Sequence, residues 1–210
     1  MKKLLVLILT MMGLASFSYA AEETNPSAPV ETAATVYEID PAHSTFGFAV
    51  KHLGVSTTHG AFNTFHGSVV FDPNNLSVFK ADVEIEAASI NTNVEARDKH
   101  LRSPDFFDAE KFPQITFKSN RLEKRGEGTV IVGELTMKAV TKELTIPVTI
   151  SGPIAGPMGG EVIGLSSQTQ INRQDFGISY SKTLDNGGLM VADMVDVTIE
   201  IEADHKEAAK

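Results

Sequence analysis

Apolar and polar residues alternate with period two along most of the chain, a pattern typical of strands that bury one face. In residues 44–51, Phe46, Phe48 and Val50 share one face, while small or polar residues occupy the other. Seven more segments show the same pattern or a short apolar run bounded by turn residues. Strands are therefore predicted at residues 44–51, 67–72, 82–86, 115–118, 130–137, 143–150, 164–171 and 196–202.

One segment, residues 94–102, has helical character. It follows Asn91, Thr92 and Asn93, which are residue types that commonly cap helix N-termini. It ends just before Pro104, and proline stops a helix. The sequence therefore predicts one helix of at most about three turns in an otherwise all-β chain.

Consecutive antiparallel strands in a chain of 210 residues favour a closed barrel, since closure removes exposed edges. An immunoglobulin-type sandwich is the alternative, but its strands are shorter and its Cys and Trp landmarks are missing, because the chain contains neither residue. The predicted fold is therefore an all-β, eight-stranded antiparallel barrel with one short helix. Such a barrel either is filled by side chains or holds one small ligand.

The first 20 residues read as a secretory signal peptide rather than as structure. Lys2 and Lys3 precede an apolar run that is shorter than the ~20 residues a membrane span needs. A small-x-small cleavage site ends at Ala20, and no cysteine is present to carry a lipid anchor. We expect a cleaved signal, no stable membrane anchor and export from the cytoplasm.

The rest of the chain divides into three parts. Residues 21–35 are rich in Ala, Glu, Thr and Pro and predict a disordered lead-in. Residues 36–203 form one folded domain without an internal repeat, and residues 204–210 form a short flexible tail.

Composition excludes several classes of function. Lys and Arg number 18 against 27 Asp and Glu, a net charge of −9 that has the wrong sign for a nucleic-acid binder. The absence of cysteine excludes disulfides, thiolate metal sites and a cysteine nucleophile. No nucleotide-binding or hydrolase motif is present either.

Four groups of residues together resemble one family of proteins. They are Asp-Pro-Ala-His-Ser at 40–44 with Val-Lys-His-Leu at 50–53 and Gly-Ala-Phe at 60–62; Arg-Asp-Lys-His-Leu-Arg-Ser-Pro-Asp-Phe-Phe at 97–107; Gly-Glu-Leu-Thr-Met to Val-Thr-Lys at 133–142; and Ile-Asn-Arg-Gln-Asp-Phe-Gly at 171–177. In this order and spacing they resemble the YceI-like family of bacterial polyisoprenoid-binding proteins. The resemblance implies a lipocalin-like extended barrel that holds an isoprenoid chain or another lipophile, often in a dimer, in the periplasm.

A lipid tail needs a dry apolar tube, and inward-facing apolar side chains can line one. Each of these side chains is equally compatible with an ordinary filled core. The predicted ligand-binding residues are Phe46, Phe48, Val50, Phe62, Val83, Ile85, Phe106, Phe107, Phe117, Leu144, Ile146, Val148, Val197 and Ile199.

A cluster of basic residues lies on the predicted helix of this acidic protein. Arg97, His100 and Arg102, with Lys99 between them, are candidates for binding an anionic lipid headgroup. The alternative, which we favour slightly, is that they form surface ion pairs with neighbouring carboxylates.

Two further charged pairs carry competing interpretations. Asp98 and His100 are acid/base residue types, but two positions apart on a helix they lie on different faces. Arg173 and Asp175 are predicted to form a structural ion pair that closes a turn.

Four histidines, His43, His52, His59 and His66, raise the question of a metal site. Their spacings of nine, seven and seven match none of the compact zinc patterns. We therefore expect no metal and no cofactor other than a bound lipid.

The sequence as a whole favours a non-catalytic periplasmic carrier that sequesters an isoprenoid-like lipid, such as a prenyl quinone or a polyprenyl phosphate. Residues 94–112, with Phe106, Phe107 and Phe112, are expected to cover one end of the barrel. The alternatives are a lipid-modifying enzyme and a structural protein whose barrel is filled.

Overall fold

The computed structural model describes residues 34–157, 159–183 and 187–205. The predicted signal peptide at residues 1–20 lies outside these ranges. The described helices are α1 (Glu95–Arg102) and three short 3-10 helices at Leu76–Val78, Ala87–Ser89 and Arg173–Phe176. The strands are β1 (Thr35–Ile39), β2 (Thr45–His52), β3 (Ser56–Phe62), β4 (Phe65–Phe71), β5 (Lys80–Glu86), β6 (Ile90–Asn91), β7 (Gln114–Arg125), β8 (Gly128–Met137), β9 (Val140–Ala155), β10 (Glu161–Asn172) and β11 (Val191–His205).

The sheet closes on itself as an antiparallel barrel. Strands β1, β4, β5, β7, β8, β9, β10 and β11 pair in that order, and β11 returns to β1 through Glu38↔Asp204 and Ile39↔Ala203. β2 continues beyond β1 along the same strand β11, β3 pairs with β2, and β6 pairs with β3. The chain therefore runs up and down around eight barrel positions, three of which are occupied by two consecutive short strands. The predicted fold class is confirmed.

Alternate side chains of each strand point into the barrel, as the sequence pattern requires. On β10, Ile163 and Leu165 are buried, whereas Gln168 and Gln170 are exposed. Because a shift of one residue would exchange the two faces, this alternation also holds the register between neighbouring strands.

All eight predicted strands are present, and β1, β3 and β6 are additional. β3 was missed because its inward positions include Thr58 and Gly60, which supply no apolar signal. β6 has two residues, and β1 begins next to the Pro- and Ala-rich segment. Their positions follow from pairing with neighbours rather than from local preference.

The folded domain extends slightly beyond its predicted limits of 36 and 203. Thr35, placed in the predicted lead-in, pairs with Phe71 in β1, and β11 continues through Asp204 and His205. The His205 ring nitrogen Nδ1 lies 2.8 Å from the carbonyl oxygen of Val36. Backbone pairing across the barrel closure thus orders residues whose composition is polar.

The helix is shorter by one residue than predicted, and its predicted capping is wrong. Val94, in an extended conformation, precedes α1, and no side chain caps its N-terminus. Asn91 instead accepts a hydrogen bond from the Asn93 amide, and Thr92 donates to Asp98. The helix ends at Ser103, before Pro104, as expected. No helix in the described parts of the chain is long and apolar enough to span a bilayer.

One end of the barrel is packed solid, and we call it the filled end. Its core residues are at most 9% exposed and come from strands all around the barrel, together with Phe79 after the first 3-10 helix. It consists of Tyr37, Val69, Phe71, Phe79, Ala81, Leu122, Ile131, Val148, Ile163, Leu165 and Ala203.

Candidate functional site

An apolar cavity of about 240 Å³ lies inside the barrel beyond the filled end. A single buried water needs only about 10–15 Å³, so the space is more than ten times larger than one water requires. The structure places all fourteen residues predicted to bind a ligand on the cavity wall. Their location is as predicted, and their role in binding stays a prediction.

The floor of the cavity is the upper layer of the filled end. Val69, Ile131 and Leu165 belong to both, so the packed core and the cavity share one boundary. Above this floor, the wall is built by inward residues that face one another across neighbouring strands. Phe46 pairs with Ile199 and Phe48 pairs with Val197, for example.

A glycine makes room for one of the wall rings. Phe48 lies directly across Gly60 of β3, and a Cβ atom on Gly60 would come within 2.4 Å of the Phe48 Cζ atom. Real Cβ contacts are never this short. Gly60 therefore leaves the space at the wall that the tip of the Phe48 ring occupies.

The opposite end of the cavity is covered by α1 and the loop that follows it, residues 95–112, which we call the cap. Leu101, Phe106 and Phe107 of the cap line the cavity, as predicted for the two phenylalanines. Phe107 packs edge-on against Phe62 of β3, with ring centroids 5.6 Å apart. Phe112, the third predicted covering residue, is half-buried beside Lys111 and does not line the cavity.

The two arginines of α1 attach the cap to the segment before it. Arg97 donates from Nε to Thr92 Oγ1 at 2.7 Å and from Nη2 to the Thr92 carbonyl at 2.9 Å. Arg102 donates to the carbonyls of Ala88 and Ile90 at 2.7 and 3.0 Å. Neither side chain is among the residues that line the cavity. Both guanidinium groups therefore hold α1 against the segment that precedes it.

His100 is also engaged within the cap. Its Nε2 atom lies 2.9 Å from Asp105 Oδ2, and its ring packs edge-on against Phe106 and Tyr180 at centroid distances of 5.0 and 4.9 Å. Lys99 is exposed. The structure thus gives structural partners to Arg97, His100 and Arg102, and headgroup binding by these residues stays a prediction.

A buried carboxylate fixes the start of the cap. Asp98 is 4% exposed and accepts hydrogen bonds from the amide and the hydroxyl of Thr92, which is equally buried. These bonds satisfy a charge that would otherwise be costly to bury. Because His100 turns to Asp105 instead, Asp98 and His100 do not form an acid/base pair.

Arg173 has a different partner from the predicted one. Its guanidinium, 5% exposed, donates to Asp193 Oδ1 at 3.0 Å, whereas Asp175 is exposed. It also donates to the carbonyls of Ala192, at 2.9 Å, and Ile178. Burial lowers the pKa of Arg173, and the Asp193 charge opposes this shift. The ion pair therefore joins the turn after β10 to the start of β11.

Polar side chains occupy a small part of the cavity wall. They were not predicted from the sequence, because a polar residue in an alternating strand is normally assigned to the solvent face. Only the strand register shows that β10 turns Ser167 and Thr169 inward, on the face of Leu165. Arg173, in the 3-10 helix that follows β10, also lines the cavity.

Outside the barrel, one group of three side chains resembles a metal site. Asp40, His43 and Glu202 place one potential ligand atom each within 4.8 Å of one another. His43 Nδ1 lies 2.7 Å from Asp40 Oδ2, and this hydrogen bond, followed by the nearby carboxylate charges, raises the pKa of His43. Histidine spacing did not reveal the group because Glu202 comes from the far end of the chain. The expectation of no bound metal stays a prediction.

The fold and cavity define a closed eight-stranded antiparallel barrel of the lipocalin-like type, with a helical cap over an internal apolar space. The chain belongs to the family of the YceI-like domain, whose model matches residues 37–203. The resemblance noted in the sequence is thereby confirmed. A UPF0312 protein of Yersinia enterocolitica is 41% identical over 148 residues, which are 70% of this chain and 77% of the relative. One from Staphylococcus aureus strain MRSA252 is 40% identical over 171 residues, 81% of this chain and 96% of the relative.

Solved structures share the fold. BcnA of Burkholderia cenocepacia is 28% identical, with a TM-score of 0.69, over 79% of this chain and 99% of that one. The YCEI protein of Campylobacter jejuni is 36% identical, with a TM-score of 0.64, over 75% and 90%. A polyisoprenoid binding domain from Saccharophagus degradans, implicated in plant cell wall breakdown, has the same TM-score of 0.64 at 14% identity, over 82% and 99%.

Proposed function

We propose that this protein binds one long apolar lipid of the isoprenoid type in its barrel and carries it in the periplasm. The observation that carries the proposal is the cavity, whose wall is apolar except at Ser167, Thr169 and Arg173. Water gains few hydrogen bonds in such a space, whereas a hydrocarbon chain gains dispersion contacts on every side. The name of the Saccharophagus degradans domain, which binds polyisoprenoid, agrees with this ligand class.

The apolar wall supplies affinity in proportion to the part of the lipid that it buries. A cavity of about 150 Å³ holds benzene, so a cavity of about 240 Å³ takes roughly ten heavy atoms of a prenyl chain. At about 0.3 to 1.5 kcal/mol for each atom, this part of the chain gains about 3 to 15 kcal/mol on binding. This gain does not depend on Arg97 and Arg102, which have structural partners.

Lipid binding explains the cavity better than a structural role for a filled barrel or a lipid-modifying activity does. The cavity argues against a filled-barrel structural protein. A lipid-modifying enzyme would need a nucleophile or an acid/base pair facing the ligand, and the ionisable side chain on the wall is Arg173, which is already paired with Asp193. We therefore propose sequestration without catalysis, with the cap as the part that covers the lipid.

Filling the cavity tests the proposal directly. Val197 lines the cavity, whereas Thr198, the next residue of β11, lies on the other face of the sheet. Val197→Phe is expected to reduce binding of a prenyl quinone at least tenfold, and Thr198→Phe is the matched control that leaves it unchanged. Loss of N-phenyl-naphthylamine fluorescence as the quinone displaces this probe measures both affinities. Equal affinity of the two variants for the quinone would place the ligand outside the barrel and overturn the proposal.

Identifying the natural ligand and the cellular location requires protein purified from its own host. We expect native mass spectrometry of the periplasmic fraction to show a chain that begins at Ala21 and carries one lipid adduct, which organic extraction would release. The same spectra would report a dimer, which stays a prediction. Empty protein that also fails to take up a prenyl quinone would contradict the carrier function. Recovery of an uncleaved chain from the cytoplasm would contradict the proposed location.

A further inference from the structure

One hydroxyl on the cavity wall has no hydrogen-bond partner in the part of the chain that the structure describes. Ser167 is 8% exposed, and among the described residues its Oγ atom contacts no donor or acceptor. Buried polar atoms are nearly always paired, and leaving one unpaired is unfavourable. Alanine would provide the same small volume without a buried polar atom. The hydroxyl at this position therefore needs an explanation beyond packing.

The strand register places this hydroxyl midway along the cavity. On β10, Ser167 lies between Leu165 of the floor and Thr169, all three on the inward face. Its partner across β11 is Ile199, and Thr169 is opposite Val197. The two hydroxyl groups therefore form a short polar step on a wall that is apolar around it.

We propose that Ser167, with Thr169 beside it, is a hydrogen-bonding subsite for a neutral oxygen group of the bound lipid. A ketone, a quinone carbonyl, an ether or an alcohol would accept a hydrogen bond from the Ser167 hydroxyl, which reaches the ligand by rotation about its Cα–Cβ bond. The ligand class is therefore a long-chain lipid with an oxygen function among apolar parts. This inference rests on the proposed function, since it assumes that a lipid chain occupies the cavity.

The charge on the wall indicates that this oxygen group is neutral. An anionic group would need a free cation, and the charged side chain that lines the cavity is Arg173. Its guanidinium already donates to Asp193 and to the backbone carbonyls of Ile178, Val191 and Ala192. A phosphate at the depth of Ser167 would be buried without a compensating charge, which is highly unfavourable.

A matched set of ligands tests the subsite. We suggest hexadecane and a series of straight-chain hexadecanones that differ only in the position of the carbonyl. Each is titrated against N-phenyl-naphthylamine bound to the full mature chain, and its affinity is read from the loss of probe fluorescence. One position of the carbonyl is expected to bind best, because the subsite lies at a fixed depth above the floor.

The variants compare the hydroxyl with a matched control. Ser167→Ala is expected to weaken that best ketone by about two- to tenfold, as one hydrogen bond implies, and to leave hexadecane unchanged. Ser151→Ala, on the exposed face of β9, is the control and should change neither. The carbonyl stretching band of the bound ketone should shift to lower frequency in the natural protein and return in Ser167→Ala. The ligand-free variant should unfold at a higher temperature, since it loses an unpaired buried hydroxyl.

The outcomes separate this inference from the proposed function. If neither hexadecane nor any ketone displaces the probe, binding of a long chain in the cavity is wrong. If hexadecane binds but Ser167→Ala affects all ligands alike, or none, the cavity holds a chain and the subsite is wrong. A lower unfolding temperature of ligand-free Ser167→Ala would also overturn the inference, because it would show that the hydroxyl has a structural partner.

Discussion

The filled end and the cavity half of this barrel are built from the same strands with the same alternation, and yet only one of them is solid. On β10, Ile163 is 1% exposed in the filled end, whereas Ile171, eight residues further along the same face, is half-buried at the cavity. Inward apolar residues therefore do not by themselves make a packed core. Whether a level of the barrel is packed depends on the total volume of the side chains that point inward at that level.

The filled end receives large rings from several directions. Tyr37, Phe71 and Phe79 meet there, and Phe79 enters from outside the sheet, after a 3-10 helix. The cavity half also has aromatic rings on its wall, such as Phe46 and Phe117, but they leave a space between them, and Phe106 and Phe107 of the cap line its far end. This barrel is therefore densely packed at one end and encloses a cavity at the other.

The largest expected effect is a difference in the loss of unfolding free energy between alanine variants at two isoleucines of β10. Ile163→Ala removes methyl groups from a fully packed site and should lower the free energy of unfolding by about 3–4 kcal/mol. Ile171→Ala, at a wall that already borders empty space, should cost about 1–2 kcal/mol. Urea denaturation of both variants measures the difference. Equal losses would show that the cavity half is packed as tightly as the filled end.

The next effect concerns the attachment of the cap. Asp98→Ala leaves the Thr92 amide and hydroxyl without their acceptor, and should destabilise the cap by about 2–3 kcal/mol. Hydrogen exchange of amides in residues 95–112 should accelerate, while amides of the filled end keep their protection. The control is Asp105→Ala, which removes an exposed partner of His100. Uniform acceleration over the whole barrel would argue against an independent cap.

A smaller effect is expected where a glycine keeps the cavity open. Gly60→Ala would push the Phe48 ring toward the cavity, at a cost in stability of about 1–2 kcal/mol and with weaker prenyl quinone binding. Gly47→Ala, on the neighbouring strand β2, is the matched control, because its nearest neighbour, the carbonyl oxygen of Thr198, would be 3.6 Å from the new Cβ. Unchanged quinone affinity in Gly60→Ala would show that Phe48 does not control the cavity width.

The smallest effect is a pH dependence confined to the filled end. Burial, followed by the hydrogen bond to Glu161, raises the pKa of Tyr37 to about 12. In the unfolded chain the phenol ionises near pH 10, so the stability that Tyr37 contributes is present below about pH 10 and is lost as the pH rises through about 12. Tyr37→Phe should therefore lose less stability than the natural protein over this range, as measured by thermal unfolding. Parallel curves for the two proteins would refute the assignment.

Local pattern predicted the barrel wall well, because a half-buried strand repeats every two residues whatever its partners are. The fourteen apolar residues on the cavity wall followed from that repeat, from the cap phenylalanines and from the resemblance to the family. β3 was not predicted because its inward positions carry Thr58 and Gly60, and no local signal separates such a strand from a loop. Ser167 and Thr169 were not predicted to line the cavity for a related reason, since polar residues in a strand were assigned to the solvent face.

The partners of Asp98 and Arg173 were beyond local reasoning. The sequence separated Asp98 from His100 because they lie on different helix faces, but it did not reveal that the buried partner of Asp98 is Thr92, which precedes the helix. Arg173 was paired with Asp175, and its actual partner Asp193 is twenty residues away on the next strand. In both cases the nearest opposite or complementary group in the chain was not the nearest in space.

The sequence by itself determined the class of this protein: an acidic chain without cysteine, an all-β fold, one short helix and a family resemblance that the family model confirms. The first three properties follow from composition and from periodicities shorter than one strand, and the resemblance follows from the order and spacing of four groups of residues. The tertiary structure alone decided that one half of the barrel is filled and the other hollow, and that a serine faces the hollow half without a hydrogen-bond partner among the described residues. The physical reason is that cavity volume and hydrogen-bond satisfaction depend on which residues meet across the barrel, and closure of the sheet sets those distances.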